Sequence, residues 1–148
     1  MHPTYSGAMS NDAPLSQRQI DARRRIELAE QGVRAEAVAA QKLINEFIDE
    51  ANRQGITPEP LRATLMNGTP VKTDKQGWYL RRNHSLAIGT DGSYYVMTVP
   101  GGAMARFTGV KLKPTPPPMV IGRGGRDGET GDLQEFLDWR LADGNGPA

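Results

Sequence analysis

Apolar residues recur at helical spacing along the first third of the chain. With steps of three or four residues they follow one side of a helix, at Ile26, Ala29, Val33, Ala37, Ala40, Ile44, Phe47 and Ala51. Ser16 with Gln19 matches a capping box, and Gly55 followed by Ile56 matches a left-handed helix end. The pattern therefore predicts one long amphipathic helix over residues 16–54.

After this helix the helical spacing of apolar residues continues only for a short segment, and beyond it apolar and polar residues alternate. A threonine and a proline at Thr57-Pro58 predict a short helical turn that ends near Leu65. Beyond it, β-branched and aromatic residues separated by turn residues predict strands at 71–73, 78–83, 86–89, 94–99, 104–112 and 119–121. The connections are short, so neighbouring strands should run antiparallel as a meander within residues 70–121.

A glycine-rich loop over residues 122–131 leads into a second predicted helix, residues 132–141. Asp132 and Glu135 form its capping box. The predicted fold class is α+β, with a long N-terminal helix packed on a four- to five-stranded antiparallel meander and a short C-terminal helix. Residues 15–142 are expected to form a single domain, and residues 1–14 and 143–148 to be disordered tails.

The length of the first helix has a consequence for function. A helix of 39 residues extends about 58 Å at 1.5 Å per residue. A five-stranded sheet is only about 24 Å wide. We therefore expect the sheet to bury residues 37–51, while the helix from Ser16 to about Val33 either frays or binds a partner.

Composition excludes several classes of function. Of the 148 residues none is cysteine, so disulfides, thiol nucleophiles and thiolate metal sites are excluded. The sequence contains neither a long apolar run nor a signal-peptide pattern, which predicts a cytoplasmic protein that does not bind membranes. His84 has no carboxylate at a metal-binding spacing, and we expect no catalytic residue, metal or cofactor.

The charge is unevenly distributed along a chain whose net charge is only +1. Residues 56–121 carry eight Lys/Arg against three acids, and Arg81, Arg82 and Arg106 lie close in sequence to aromatic residues. Such a surface is typical of nucleic-acid or phosphate binding. The alternative is that the aromatics form the core and the cations an ordinary solvated face, which the small net charge favours. Nucleic acid is thus a possible partner but not a favoured one.

The glycine-rich loop contains Arg123 and Arg126 and precedes a helix N-terminus, a position that attracts anions. It lacks the Lys-Ser/Thr pair of a phosphate-binding loop and the surrounding βαβ unit of a dinucleotide site. An enzyme that holds an anionic substrate here is therefore the least favoured hypothesis, and a solvated connector is the alternative.

The hypothesis that the sequence favours most is a non-enzymatic protein–protein interaction module. Its contact surface would be the first half of the long helix, with Arg23, Arg24, Ile26 and Val33 as the binding residues. The partner would be another protein or a second copy of the chain. No feature of the sequence identifies a pathway.

Overall fold

The computed structural model describes residues 16–102, 104–122 and 130–145. The predicted tail 1–14 lies outside this range, as do residues 146–148 of the predicted tail 143–148 and residues 123–129 of the glycine-rich loop. The chain divides into two compact units, Met1–Val33 and Arg34–Ala148. None of the helices within the described residues has the length and apolar character needed to cross a membrane.

Three helices and seven strands form the described fold. The helices are α1 (Gln17–Gln54), α2 (Ala105–Thr108) and α3 (Leu133–Asp143). The strands are β1 (Glu59–Leu65), β2 (Pro70–Tyr79), β3 (Leu86–Gly89), β4 (Tyr94–Val96), β5 (Thr98–Val99), β6 (Val120–Ile121) and β7 (Gly131–Asp132). The α+β fold class is confirmed, with a long N-terminal helix, a mostly antiparallel five-stranded sheet and a short C-terminal helix.

Both ends of α1 form as the sequence predicts. The backbone N–H of Ser16 donates to Gln19 Oε1 at 2.9 Å, and the N–H of Gln19 donates back to Ser16 Oγ at 3.1 Å. At the other end Gly55 has a φ of +74°, and the N–H of Ile56 reaches the carbonyl oxygen of Ala51 at 2.9 Å. These bonds satisfy groups that the helix itself leaves unpaired.

The C-terminal half of α1 supplies part of the core of the second unit. Ala40, Ile44, Phe47 and Ala51 are buried there, so the buried stripe begins at Ala40 within the expected range 37–51, and Ala37 is half-buried. Two polar side chains of α1 also bond to loops: Gln41 Nε2 donates to the carbonyl oxygen of Gly92 at 2.8 Å, and Glu36 Oε2 accepts from the N–H of Met119 at 2.7 Å.

Four consecutive strands, β1 to β4, form an antiparallel meander as predicted, but it begins at Glu59 and not within residues 70–121, and the predicted strands 71–73 and 78–83 are the single strand β2. A fifth strand adds to its edge. The spatial order is β4-β3-β2-β1-β5. Strand β5 pairs with β1 in parallel, through Thr64 with Thr98 and Leu65 with Val99. Strands β6 and β7 form a separate two-stranded sheet, so the predicted edge strand at 119–121 does not join the main sheet.

The predicted helical turn at residues 57–65 is wrong, because this segment contains β1. Leu61, Ala63 and Leu65 are buried on one face of β1, a period of two that a helix would break. Pairing along β2 then fixes the segment as a strand. Strand β2 itself is continuous through Gly77, where a Cβ atom would lie 1.9 Å from the carbonyl oxygen of Ile88.

The predicted strand at residues 104–112 is also wrong. This segment begins with the single-turn helix α2, and Gly109 after it has a φ of +80° instead of forming a bulge. Val110 and Leu112 then follow as extended chain, with Val110 bridged to Thr73. Phe107 is exposed whereas Leu112 is buried, so the apolar residues of the segment do not share one strand face.

Apolar clusters cover both faces of the main sheet. On one face, residues of α1 and α3 pack with Trp78 and Tyr94. On the other, Tyr79 and Tyr95 pack with Leu112 and other residues of the chain around α2. Adjacent aromatics point to opposite faces because successive side chains alternate along a strand. The sheet is therefore the middle layer of three.

The C-terminal helix forms close to its predicted limits. Asp132 and Glu135 make the predicted capping box, in which the N–H of Asp132 donates to Glu135 Oε1 at 3.2 Å. Leu133 and Leu137 on its inner face are fully buried. Beyond its end, Asn145 Oδ1 accepts from the N–H of Thr57 at 2.9 Å, which fastens the end of the described chain next to the end of α1.

The two halves of α1 should respond differently to the same loss of side chain. Ile44→Ala should lower the free energy of unfolding by about 2–5 kcal/mol, because Ile44 is fully buried. Leu28→Ala is the control; this side chain is 59% exposed, and the change should stay within about 0.5 kcal/mol. Urea denaturation followed by tryptophan fluorescence measures both values. Equal losses would contradict the assignment of the core.

Candidate interaction surfaces

Residues 17–33 are the part of α1 that belongs to the first compact unit. Ile26 is 59% exposed and Val33 is 50% exposed, although both lie in regular helix. Arg23 and Arg24 are exposed on the same segment. The four residues predicted to bind a partner are thus solvent-accessible side chains on one helical segment.

The charged side chains of this segment are not used in ion pairs with other described residues. The two ion pairs shorter than 4 Å within the described chain are Arg53–Glu50 and Lys75–Asp74. Gln17 donates a hydrogen bond to Asp21 at 2.9 Å, which is a local contact within the helix. The arginines at positions 23–25 and the glutamates at 27 and 30 therefore face solvent, where a partner can reach them.

The basic residues predicted to bind an anion or nucleic acid occupy different surroundings. Arg81 is only 7% exposed, and its guanidinium carbon lies 5.7 Å from the ring centroid of Phe136. Arg82 is exposed and lies 5.5 Å from the ring of Trp139. The structure thus places both beside α3. Each is within the distance at which a cation is attracted to the face of an aromatic ring.

The remaining predicted cations do not extend this pair into a described cluster. Arg106 is exposed on α2 and lies 5.3 Å from the ring of its neighbour Phe107. Arg123 and Arg126 of the glycine-rich loop lie outside the described residues. The predicted anion site at that loop therefore stays a prediction.

The aromatic residues of the strands are buried. Trp78, Tyr79, Tyr94 and Tyr95 are each at most 7% exposed. Their polar atoms are also used inside the protein: Tyr95 Oη donates to Asp91 Oδ2 at 2.8 Å, and Tyr79 Oη accepts from the N–H of Arg62 at 2.7 Å. A base cannot stack on a ring that is covered on both sides, so these rings do not form an open platform.

Burial also changes the acidity of the tyrosines. It raises the pKa of Tyr94 to about 12, and the nearby positive charge of Arg81 opposes this effect only in part. Burial likewise raises the pKa values of Tyr79 and Tyr95. All three hydroxyls stay protonated at neutral pH, and that of Tyr95 donates its proton to the Asp91 carboxylate.

The start of α3 lies beside a cavity of about 340 Å³ that the sequence alone did not indicate. Arg82, Thr130, Gly131, Glu135, Phe136 and Trp139 line it. Its size is at the lower end of the range for small-ligand sites. It offers a cation, a carboxylate and two rings, but the Glu135 carboxylate already accepts a hydrogen bond within the capping box. The sequence feature that could have indicated this cavity is the placement of Phe136 and Trp139 three residues apart on one helix.

A second cavity, of about 460 Å³, lies between β2 and the chain that follows α2. Lys72 and Lys111 are among its lining residues. Asp74, which also lines it, accepts from the N–H of Leu112 at 3.0 Å, and this bond lowers the pKa of the carboxyl. The carboxylate thus fastens a loop to the sheet.

The side chains of His84 and Asp91 both make contacts within the protein. The imidazole of His84 stacks on Tyr79, with ring centroids 3.9 Å apart, and its backbone has a φ of +61°. The Asp91 carboxylate is bonded to Tyr95 Oη and to the N–H of Ser93. Within the described part of the chain, no group of three or more His, Asp or Glu residues is arranged to hold a metal ion.

The buried Tyr94 predicts a loss of stability at high pH. Up to about pH 10, the ordinary pKa of tyrosine, its hydroxyl is protonated in both the folded and the unfolded state. From there to about pH 12 only the unfolded state loses the proton, so the free energy of unfolding should fall as pH rises, by about 2–3 kcal/mol. Denaturation of the wild type and of Tyr94→Phe at several alkaline pH values measures this. A fall of equal size in both proteins would contradict it.

The burial of the strand aromatics also predicts how oligonucleotides behave. In a Trp139→Phe background, where Trp78 is the remaining tryptophan, short single-stranded DNA at low salt should not quench the fluorescence, because Trp78 is covered. Arg82→Glu tests the exposed cation beside Trp139, and Arg18→Glu, the same charge change on the first unit, is the control. Saturable quenching that Arg82→Glu weakens and Arg18→Glu does not would establish the sheet side as a nucleic-acid surface.

Comparison with known proteins does not identify a family for this chain. No protein-family model, no curated protein and no solved structure matches it. The function is therefore inferred from the exposed residues and the charges themselves.

Proposed function

We propose that this protein is a non-enzymatic protein–protein interaction module that binds its partner through helical segment 17–33. The observation that carries the proposal is the pair of exposed branched side chains, Ile26 at 59% and Val33 at 50%, on one side of a regular helix. Single exposed apolar residues are common on protein surfaces. These two are aligned with each other, because seven residues separate them along the helix.

The alignment follows from the spacing. Ala22, Ile26, Ala29 and Val33 are separated by four, three and four residues, which is the spacing of the contact positions in a two-helix coiled coil. Covering an isoleucine or valine side chain stabilises a complex by about 1.5–3 kcal/mol. A partner that covers both side chains would thus gain enough to offset part of the entropy lost on association.

Charges beside the stripe supply specificity. Arg23 and Glu30 flank it, and neither belongs to an ion pair with another described residue. Charges at the edge of an apolar contact mainly steer the approach of the partner and select its orientation. Arg24 lies further from the stripe and would contribute to the long-range field.

The sheet supports a binding function less well. Its four strand aromatics are buried, and its exposed cations are divided between the surroundings of α3 and of α2. Exposed apolar and charged groups are combined in one regular pattern on segment 17–33. For this reason we place the contact surface there.

Site-specific photocrosslinking tests the proposal. A photoreactive phenylalanine derivative at position 26, in the native host, should give a discrete crosslinked species. The same derivative at position 28 is the control, because Leu28 is also 59% exposed but lies almost opposite Ile26 around the helix. Absence of any species from position 26, or equal species from both positions, would contradict segment 17–33 as the contact surface.

A further inference from the structure

We infer that the partner of segment 17–33 is the same segment of a second copy of the chain, in antiparallel orientation. This inference rests on the proposed function, and it adds the identity of the partner and the geometry of the contact. Three properties of the segment support it: the distribution of its charge, the sizes of the residues along its stripe, and the position of its flanking charges.

The charge of the segment changes sign along its length. Residues 17–25 contain four arginines and one aspartate, a net charge of +3. Residues 26–33 contain two glutamates and no cation, a net charge of −2. Two antiparallel copies with Ala22 of one opposite Val33 of the other would place Arg23, Arg24 and Arg25 of each beside Glu30 of the other, whereas two parallel copies would place like charges together. Charge complementarity therefore favours the antiparallel pair.

The residues along the stripe complement each other in size in the same orientation. In an antiparallel pair, Ile26 of one copy faces Ala29 of the other, and Val33 faces Ala22. Each layer then combines one branched and one small side chain, which gives layers of equal width. A parallel pair would instead place isoleucine against isoleucine and alanine against alanine. Evenly filled layers pack two helices more closely.

The flanking charges fall at matching positions. In this register Arg23 of one copy lies beside Glu30 of the other, and the two-fold symmetry of a homodimer repeats the pair. Arg23 and Glu30 are seven residues apart, so both occupy the same edge of the stripe. A single segment thus contains the whole of a self-complementary surface.

Charge exchange is the first test, measured as the dimer dissociation constant by sedimentation equilibrium of the full-length protein. Arg23→Glu alone and Glu30→Arg alone should each weaken the dimer about tenfold, because each makes two symmetry-related repulsive pairs. The double variant Arg23→Glu/Glu30→Arg should restore dimerisation towards the wild-type value. A double variant as weak as either single variant would overturn the inference.

Orientation can be read from disulfides, because the natural chain contains no cysteine. Ala22→Cys and Val33→Cys are prepared separately, checked for helicity by circular dichroism, mixed and oxidised. Antiparallel pairing should join position 22 to position 33, giving mainly mixed dimers. Two copies of position 22 would then be about 16 Å apart by helix rise, too far for a bond that needs Cα atoms within about 7 Å. Dimers of each variant with itself, without the mixed species, would indicate a parallel pair and overturn the inference.

The failures of the two proposals are distinguishable. A protein that stays monomeric at every concentration overturns self-association. If position 26 still crosslinks to a different protein, the interaction module stands with another partner. If position 26 gives no crosslink and the protein is monomeric, both proposals fail.

Discussion

The second compact unit depends on the burial of Trp78 against the C-terminal end of α1. The indole packs edge to face on Phe47, with ring centroids 5.6 Å apart and planes at 89°. Its N–H donates to the carbonyl oxygen of Ile56 at 3.0 Å, at the point where the chain leaves the helix. A buried indole needs a hydrogen-bond acceptor, and the carbonyl oxygen of Ile56, just past the end of α1, supplies it. One side chain thus joins the end of the helix to the middle of the sheet.

The position of Trp78 explains why the sheet has two covered faces. Because side chains alternate along β2, a Trp78 directed to α1 requires Tyr79 to point to the other face. That face has no long helix, and the irregular chain around α2 covers it instead. Local hydrogen bonds hold this chain in place: the N–H of Leu112 donates to Asp74 Oδ1, and the N–H of Val110 donates to the carbonyl oxygen of Lys72. The aromatic content of the strands is consequently used for packing, which leaves little of it for binding.

Local signals in the sequence were enough to predict α1 and α3. Capping residues such as Ser16, Gln19, Asp132 and Glu135 act within one turn of chain, so their effect can be read without the fold. Strand β1 could not be read in this way, because the alternation of Leu61, Ala63 and Leu65 is short and Thr57-Pro58 resembles a helix start. Its pairing with β2 decided the outcome, and pairing is a long-range effect. Helix α2 could not be predicted for the same reason, because it lies over a sheet face that only long-range contacts define.

The candidate surfaces were also predictable to different degrees, because some of their properties depend on local sequence and others on long-range contacts. The exposure of Ile26 and Val33 followed from comparing the length of a helix with the width of a sheet. The burial of Arg81 did not, because it depends on Phe136, which is 55 positions away in the sequence. Proximity of cations and aromatics in the sequence left an open binding face as the less favoured alternative, and the three-dimensional contacts use several of these groups within the protein.

The apolar stripe of α1 has the same period before and after Val33, so its period alone does not tell which part another chain covers. The content of the stripe differs. After position 37 it contains Ile44 and Phe47, which fill a core, and polar neighbours such as Glu36 and Gln41 bond to loops of the same unit. Before position 34 it alternates branched residues with alanine, and the neighbouring charges form no ion pair within the described chain. An apolar stripe that packs on the sheet of its own chain needs large side chains to fill the core. A stripe that packs on an identical helix needs small side chains, which let the two helices approach closely, and charges whose order along the helix favours one orientation over the other. Segment 17–33 has the second set of properties.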